Sequence, residues 1–465
     1  MKKETNRLAE DFNGVSLFLF ALPAMVMMVF QGLYTIVDTV FVARFVNTDA
    51  LSAINIITPV LSLTVGLGTM LAAGGNAVIS RNMGEGNGQL AKENFTLIIL
   101  SGAVSGIALA AAIFTGMEQL LFFLGAKGAL YPYAKDYLGV LLFFIPAYML
   151  QTIFANLFVT AGHPGLGTVL SVASGVLNIA LDYVFIVICR MGISGAALGT
   201  GLGVSLTVLG GLIFFRPEKK NRERTLSFCK TPFRIEVMAE SCLNGSSEMV
   251  GQLAAAVTTL LFNWSMLKLS GKDGVAAITI MNYLQFLFHG LYIGFSMGTA
   301  PVMGYGYGAF MSEKRESALD ASECLNKKRL YRIIGLCMRF VLSASAGVFL
   351  LSFLGSEILV GVFAGDSRTV YLLAAGGMKI FSFSFLFSGL NIFISAMFTA
   401  LSNGKVSAFL SFLRTFVLLT AAILILPCFL GITGVWLSVP AAEFLALLAA
   451  LPVIYPVWKG KFEAS

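Results

Sequence analysis

The chain has 465 residues, 57% of them hydrophobic and only 12% charged, and a mean hydropathy of +0.85. Water-soluble domains carry about a quarter charged residues, so a soluble fold is excluded, and the length holds about a dozen spans of ~20 residues. The net charge of +7 would suit a nucleic-acid binder, but its placement along the chain assigns it to membrane topology, and no nucleic-acid partner is expected.

The N-terminus through Asn13 is charged and leads straight into a long span, without the short apolar core and small-residue cleavage site of a signal peptide. Apolar runs predict spans at 15–44, 51–80, 94–116, 133–161, 165–188 and 193–215. A second set follows at 235–267, 275–308, 331–354, 370–401, 405–430 and 432–457. Several approach 30 residues, longer than a direct crossing requires, which implies tilt or extension beyond the bilayer. An even number puts both termini on one side. With the N-terminus inside, the inside segments hold 21 Lys and Arg and the outside loops hold 7. That bias makes the termini cytoplasmic. The expected architecture is an all-α polytopic membrane protein of the cell membrane, surrounded by lipid. Its twelve transmembrane helices form two six-helix repeats around a central cavity: an N-terminal bundle over 1–215, a basic cytoplasmic linker over 216–234 and a C-terminal bundle over 235–465.

Two echoes relate the sets. Gly192-Ile-Ser-Gly-Ala-Ala-Leu198 returns as Gly431-Ile-Thr-Gly-Val-Trp-Leu437, an offset of 239. With an offset of 224, Asp49, Ala53, Ile54, Ile56, Gly66, Gly74 and Gly84 fall on Asp273, Ala277, Ile278, Ile280, Gly290, Gly298 and Gly308. Such a period is a duplicated multi-helix bundle rather than a solenoid unit, the build that secondary transporters use for alternating access. Asp38 falls opposite Phe262, Thr200 opposite Val439, and Asn178 and Asp182 near Val417 and Ala421. The scaffold is duplicated; the acids are not.

An ionisable side chain deep in a span costs about 2.5–3.5 kcal/mol on insertion scales and must face a cavity or a partner. The acids so placed are Asp38, Asp182, Glu248 and Glu443. Tyr34 and Asp38, four apart, share a helical face with Gln31 a turn back, and Asn178 and Asp182 repeat the device. Oxygen donors of this kind suit a hard cation, and a buried carboxyl suits a proton. A competing reading sets one or both acids in the wet headgroup zone, binding nothing. Glu248, with Gln252 on its face, is either a second protonatable group or a hydrogen-bonding residue near a helix start. Glu443, after Pro440, completes a second-half polar set and is read as structural. Lys379 and Arg414 are the cations expected deep in this half, either one placed to neutralise Glu443 or Glu248. Pro23, fifteen residues before Asp38, is a hinge or a static kink. Small-residue rows such as Gly195/Gly199/Gly203 and Gly304/Gly308 predict close helix packing and say little of function.

Nothing points to an enzyme. Gly294-Phe-Ser-Met-Gly298 has the spelling of a hydrolase nucleophile elbow, but that motif needs a strand–turn–helix setting and here lies in an apolar span. No HExxH, Walker A loop or dinucleotide fingerprint occurs, so neither an ATP-driven pump nor a cofactor is expected. Six cysteines without a CxxC pair suggest no disulfide framework and no metal site. His163 is expected in a loop before Pro164, and His289 as a buried polar residue of a helix.

Two six-span halves, a basic loop between them, and Asp38, Asn178, Asp182 and Thr200 in the first half resemble the multidrug and toxic compound extrusion (MATE) family over essentially the whole chain. The specific matches are Pro23 and Tyr34-xxx-Asp38, Pro59, Asn178-xxx-Asp182, and the glycine-rich segment from Gly192 to Thr200. The pattern is most similar to the prokaryotic branch with its acidic cation site in the N-terminal half. The resemblance implies that Asp38 and Asp182 are H⁺- or Na⁺-coupling carboxylates, with Tyr34, Asn178 and Thr200 as oxygen partners and Tyr137 approaching the same site. It implies that Pro23 lets the first helix bend as Asp38 changes protonation. Glu248 matches a seventh-helix acid of other branches, whereas their companion acid in the tenth helix is absent, Asn391 and Lys379 being the polar residues there. The implied function is antiport by a monomer: small organic, amphipathic and cationic compounds leave in exchange for H⁺ or Na⁺ by alternating access. A lipid-linked oligosaccharide flippase of the same superfamily is the alternative, against which stands the acidic rather than basic character of the deep polar residues. A receptor or an intramembrane enzyme would leave the repeat unexplained.

Overall fold

The computed structural model describes residues 7–217, 225–316, 325–363 and 367–458. Lys2, Lys3, Lys219, Lys220, Arg222, Arg224, Lys459 and Lys461, which contribute to the topology argument, lie outside the described residues. Within them the chain is helical nearly throughout, with no strand. The first half comprises α1 (Gly14–Phe45), α2 (Thr48–Gly84), α3 (Gly88–Thr115), the short α4 (Met117–Phe123), α5 (Leu130–Leu142), α6 (Ile145–Thr160), α7 (Pro164–Asp182) and α8 (Gly192–Phe214). The second comprises α9 (Ile235–Glu316), α10 (Leu325–Leu354), the short α11 (Ser356–Phe363), α12 (Arg368–Phe381), α13 (Ser384–Ala400), α14 (Gly404–Phe412), α15 (Leu419–Leu430) and α16 (Ile432–Trp458). Among the described residues nine helices are long and apolar enough to cross a membrane, or eleven when each of two bent pairs is one span. The 82-residue α9 is itself interrupted at Gly271, whose φ of 62° and ψ of −146° are not helical, between the expected seventh and eighth spans.

Burial in α1 shows why the pattern is apolar all round. Val15, Leu19, Val26 and Leu33 are exposed on one face, while Leu17, Phe20, Ala21, Ala24 and Met27 are buried on the opposite one. Lipid would cover the first face and neighbouring helices the second, so amphipathicity is lost without loss of direction.

The duplication is visible in the backbone. The pairs α5/α6 and α12/α13 bend by the same 56°. Pro146, which cannot donate a backbone hydrogen bond, follows the first bend; at the second, Ser382 Oγ donates back to the Lys379 carbonyl at 2.8 Å. Gly162 and Ser402 both take positive φ, 80° and 57°, as do Gly192 and Gly431, at 61° and 58°. A π-helical turn follows α7 at Tyr183–Ile188 and another follows α14 at Leu413–Leu418.

Three apolar clusters give the molecule its shape. One, which includes Leu8, Leu71, Phe95, Phe295, Phe398 and Val457, is shared by both halves. Away from it the core divides: one cluster draws only on residues from Val42 to Ala197, the other only on residues from Phe262 to Val439. The halves thus share a base and separate into two arms. At the base α2 and α9 cross with almost no side chain between them. A Cβ on Gly84 would fall on the Tyr305 carbonyl, and one on Gly308 on the Arg81 carbonyl. These two contacts are related by the offset of 224, so the helices meet through the same position of each repeat. Arg81 fastens the crossing by donating to both Glu240 carboxylate oxygens, at 2.5 and 3.2 Å, and to Ser402 Oγ at 3.1 Å. Arg329 and Arg332 donate to the backbone carbonyls of Ala9, Glu10 and Phe12 across the same end.

Because backbone atoms, not flexible side-chain ends, fill the space beside Gly84 and Gly308, each Gly→Ala substitution should destabilise the protein by about 1–3 kcal/mol. Gly335→Ala, where no atom lies within 4 Å of a new Cβ, should be neutral or mildly stabilising. Thermal unfolding of the three variants in detergent checks this contrast.

Candidate functional site

The first-half arm brings together two acids from helices distant in sequence, Asp182 buried and Asp38 partly buried. Asp182, the last residue of α7 before its π-helical turn, has a relative exposure of 0%. Its carboxyl is enclosed by neighbouring helices rather than open to solvent. Asp38 of α1 approaches it closely enough for each carboxyl to feel the other. No donor among the described residues reaches either oxygen of Asp182 or Oδ1 of Asp38. Carboxylates only accept, so two that face each other are stable when one carries a proton or when a cation lies between them.

The surrounding residues are oxygen donors. Asn178, one turn before Asp182, donates from Nδ2 to Thr200 Oγ1 at 3.3 Å and keeps its own Oδ1 buried and unpartnered. Thr200 passes its proton to the Ala196 carbonyl at 2.9 Å, so its oxygen remains an acceptor. Tyr34 lies close enough to feel the charge of Asp38, and Tyr137 that of both acids. The six residues expected around the coupling site therefore converge. Pro23 lies inside α1, which continues through it, and its carbonyl accepts a hydrogen bond of 2.6 Å from Thr168 Oγ1 of α7.

Two features escaped the sequence pattern. Tyr148, just past the α5/α6 bend, is also within electrostatic reach of Tyr34, Tyr137, Asp38 and Asp182. The bend turns it inward, and no spacing rule anticipates a bend. The row Gly195/Gly199/Gly203 is more than packing. A Cβ on Gly199 would strike Asp182 Oδ1, and one on Gly203 would strike Asn178 Cβ. The four-residue spacing of the glycines runs antiparallel to that of Asn178 and Asp182, and this match of two spacings is the signal that could have found the contact.

In the second half the polar residues are divided. Glu443 is 4% exposed and is held by Arg414. Lys379, expected deep in this half, is instead half-exposed and pairs with Glu357 at 3.4 Å, because the helix carrying it ends at Phe381. Gln252 packs its side chain against Gly66 of the first half. Glu248, one turn earlier in α9, lies within electrostatic reach of Arg414.

Two helical arms on a common base, with unneutralised acids buried in one of them, define a multi-pass helical membrane protein built from an internal repeat. Comparison with known proteins sharpens this. The family model MatE matches residues 23–184. The multidrug export protein MepA of Staphylococcus saprophyticus is 25% identical over 436 residues, covering 94% of this chain and 92% of the relative. MepA of Staphylococcus aureus is 25% identical over the same shares. Among solved structures, an outward-facing multidrug resistance MATE family transporter superposes with a TM-score of 0.87 at 19% identity, covering 100% of both chains. A mutant of the Vibrio cholerae MATE transporter VcmN superposes with 0.83 at 20% identity, covering 96% and 97%. The chain is thus similar to MATE family transporters, by family model over residues 23–184 and by fold over nearly its whole length.

A hydrophobic carbodiimide reacts with a protonated carboxyl in an apolar setting. It should label wild-type protein at Asp38 or Asp182, and Asp38→Asn together with Asp182→Asn should abolish that adduct in peptide mass spectra. Saturating Na⁺ should suppress the adduct if the pair can hold Na⁺ in place of the proton.

Proposed function

We propose that this protein is a secondary antiporter that exports small amphipathic organic cations in exchange for H⁺ or Na⁺, with the exchanged ion handled by the N-terminal half. The observation that carries this reading is the pair Asp38, partly buried, and Asp182, fully buried, ringed by oxygen donors and with no donor among the described residues reaching Asp182 or Oδ1 of Asp38. Burying charge without compensation costs several kcal/mol, and a site that exchanges an ion must leave its compensation exchangeable. MepA, a multidrug export protein by name, aligns over nearly the whole chain, which favours drug-like substrates over a lipid-linked oligosaccharide.

In this reading residues 1–215 and 235–465 move as two units joined by 216–234. The shared base is the cytoplasmic end by the distribution of basic residues, so the open side faces outward. A cation arriving at Asp38 and Asp182 from outside stabilises a conformation that binds substrate less well, and substrate leaves. Rocking of the halves then exposes the cavity to the cytoplasm, where the ion dissociates and new substrate enters. Coupling needs no contact between ion and substrate, only different affinities of each for the two conformations. Pro23 is placed to let α1 flex against its Thr168 anchor as the charge at Asp38 changes.

In cells or proteoliposomes, Asp38→Asn and Asp182→Asn should each reduce gradient-driven efflux of a fluorescent cationic dye at least tenfold, with expression unchanged. Wild-type efflux in both variants would overturn the reading. Dissipating ΔpH or withdrawing Na⁺ identifies the ion by which of the two stops dye efflux.

A further inference from the structure

The interior of the second half carries a charged constellation that the antiport reading does not use. Arg414, second residue of the π-helical turn Leu413–Leu418, directs its guanidinium at Glu443 of α16, with Nε 2.9 Å and Nη2 2.8 Å from Oε1. Asn391 of α13 donates from Nδ2 to Glu443 Oε2 at 2.7 Å and to the Glu443 carbonyl at 2.9 Å. Both carboxylate oxygens are thereby occupied. Beside the guanidinium lies a small cavity whose polar lining is Asn391, Ser395, Ser411 and Arg414 itself. The two serine hydroxyls meet at 2.9 Å, and Ser395 also meets Ser407 at 2.8 Å. Glu248 and His289 of α9 are the other titratable groups within electrostatic reach of Arg414.

Stability alone does not account for such a pair, because desolvating two charges offsets most of their attraction, and apolar residues of similar volume often serve as well. The chemistry of the donors points elsewhere. A carboxylate, an amide and two hydroxyls clustered in the interior are the oxygen set that a hard cation takes. The first half assembles the same kinds of group around Asp38 and Asp182, with no basic side chain among them. In the second half a guanidinium already lies against the carboxylate.

We propose that Arg414 is a tethered cation. Its guanidinium fills an oxygen-lined cation site formed by Glu443, Asn391, Ser395 and Ser411, so this half carries its counter-charge covalently and takes no ion from solution there. The inference deepens the antiport reading, because it confines ion exchange at the buried acid pairs to the first half, but its test does not depend on transport.

The test uses the purified full chain carrying Asp38→Asn and Asp182→Asn, which silences the first-half site, with thermal unfolding followed in 100 mM NaCl and in 100 mM choline chloride. With Arg414 intact the midpoint should be the same in both salts. Arg414→Ala should lower the midpoint in choline and recover about 2 °C or more in NaCl, the size expected when ligand far exceeds its Kd. Adding Glu443→Gln should remove that recovery. Arg414→Lys, which keeps a tethered charge and is less exposed to misfolding, should be as insensitive to Na⁺ as the arginine protein. A folded Arg414→Ala variant indifferent to Na⁺ would overturn the proposal. So would a Na⁺-specific shift that Glu443→Gln abolishes, seen either with Arg414 intact or in the Arg414→Lys variant. Failure of dye efflux to depend on either ion would sink the antiport reading while leaving this outcome legible.

Discussion

The crossing of α2 and α9 at the base is the contact on which the rest depends. Gly84 lies against the Tyr305 carbonyl and Gly308 against the Arg81 carbonyl, so two long helices touch backbone to backbone at equivalent points of the repeat. A contact of that kind is symmetric in the way a two-fold interface is, and it has no side-chain rotamers to repack. It clamps the halves at one end, where Arg81 adds its bidentate pair with Glu240. Beyond it the core separates into one cluster per half, so relative motion is a property of the arms and of how the base yields. The close approach is possible only because the repeat places glycine there twice.

Symmetry of the backbone and asymmetry of the charge are the two themes built on that base. Equal bends, matched positive-φ residues and paired π-helical turns show that both halves fold alike. Their interiors differ in how buried charge is balanced. In the first, Asp38 and Asp182 lie together with no basic side chain bonded to them among the described residues; in the second, Arg414 and Asn391 occupy both oxygens of Glu443. Low-dielectric burial makes each arrangement consequential. An acid pair without a fixed counter-charge leaves its balance to whatever proton or cation reaches it, whereas a carboxylate with both oxygens occupied is held to its neighbours.

Much of this was legible in one dimension. Hydropathy located the helices, the echoes located the duplication, and the four-residue spacings of Tyr34/Asp38 and Asn178/Asp182 put oxygen donors on common faces. Errors arose where a helix stops being straight. Treating 370–401 as one uninterrupted span placed Lys379 in the interior, but the bend after Phe381 leaves it half-exposed beside Glu357. The corresponding bend in the first half turns Tyr148 toward the acids. The glycine row of α8 was legible as close packing, but not as the wall against which Asp182 and Asn178 rest.

The sequence by itself determined that the protein is a duplicated bundle of apolar helices with acids confined to particular faces. Those properties follow from composition and from periodicity along a single helix, which are local. Only the tertiary structure decided that Asp38 meets Asp182, that Glu443 takes Arg414 rather than Lys379, and that the halves touch at Gly84 and Gly308. These outcomes depend on crossing points and bends set by contacts of a few ångströms between helices far apart in the chain, and an apolar surface on both faces of a helix gives no sign of which neighbour it will meet.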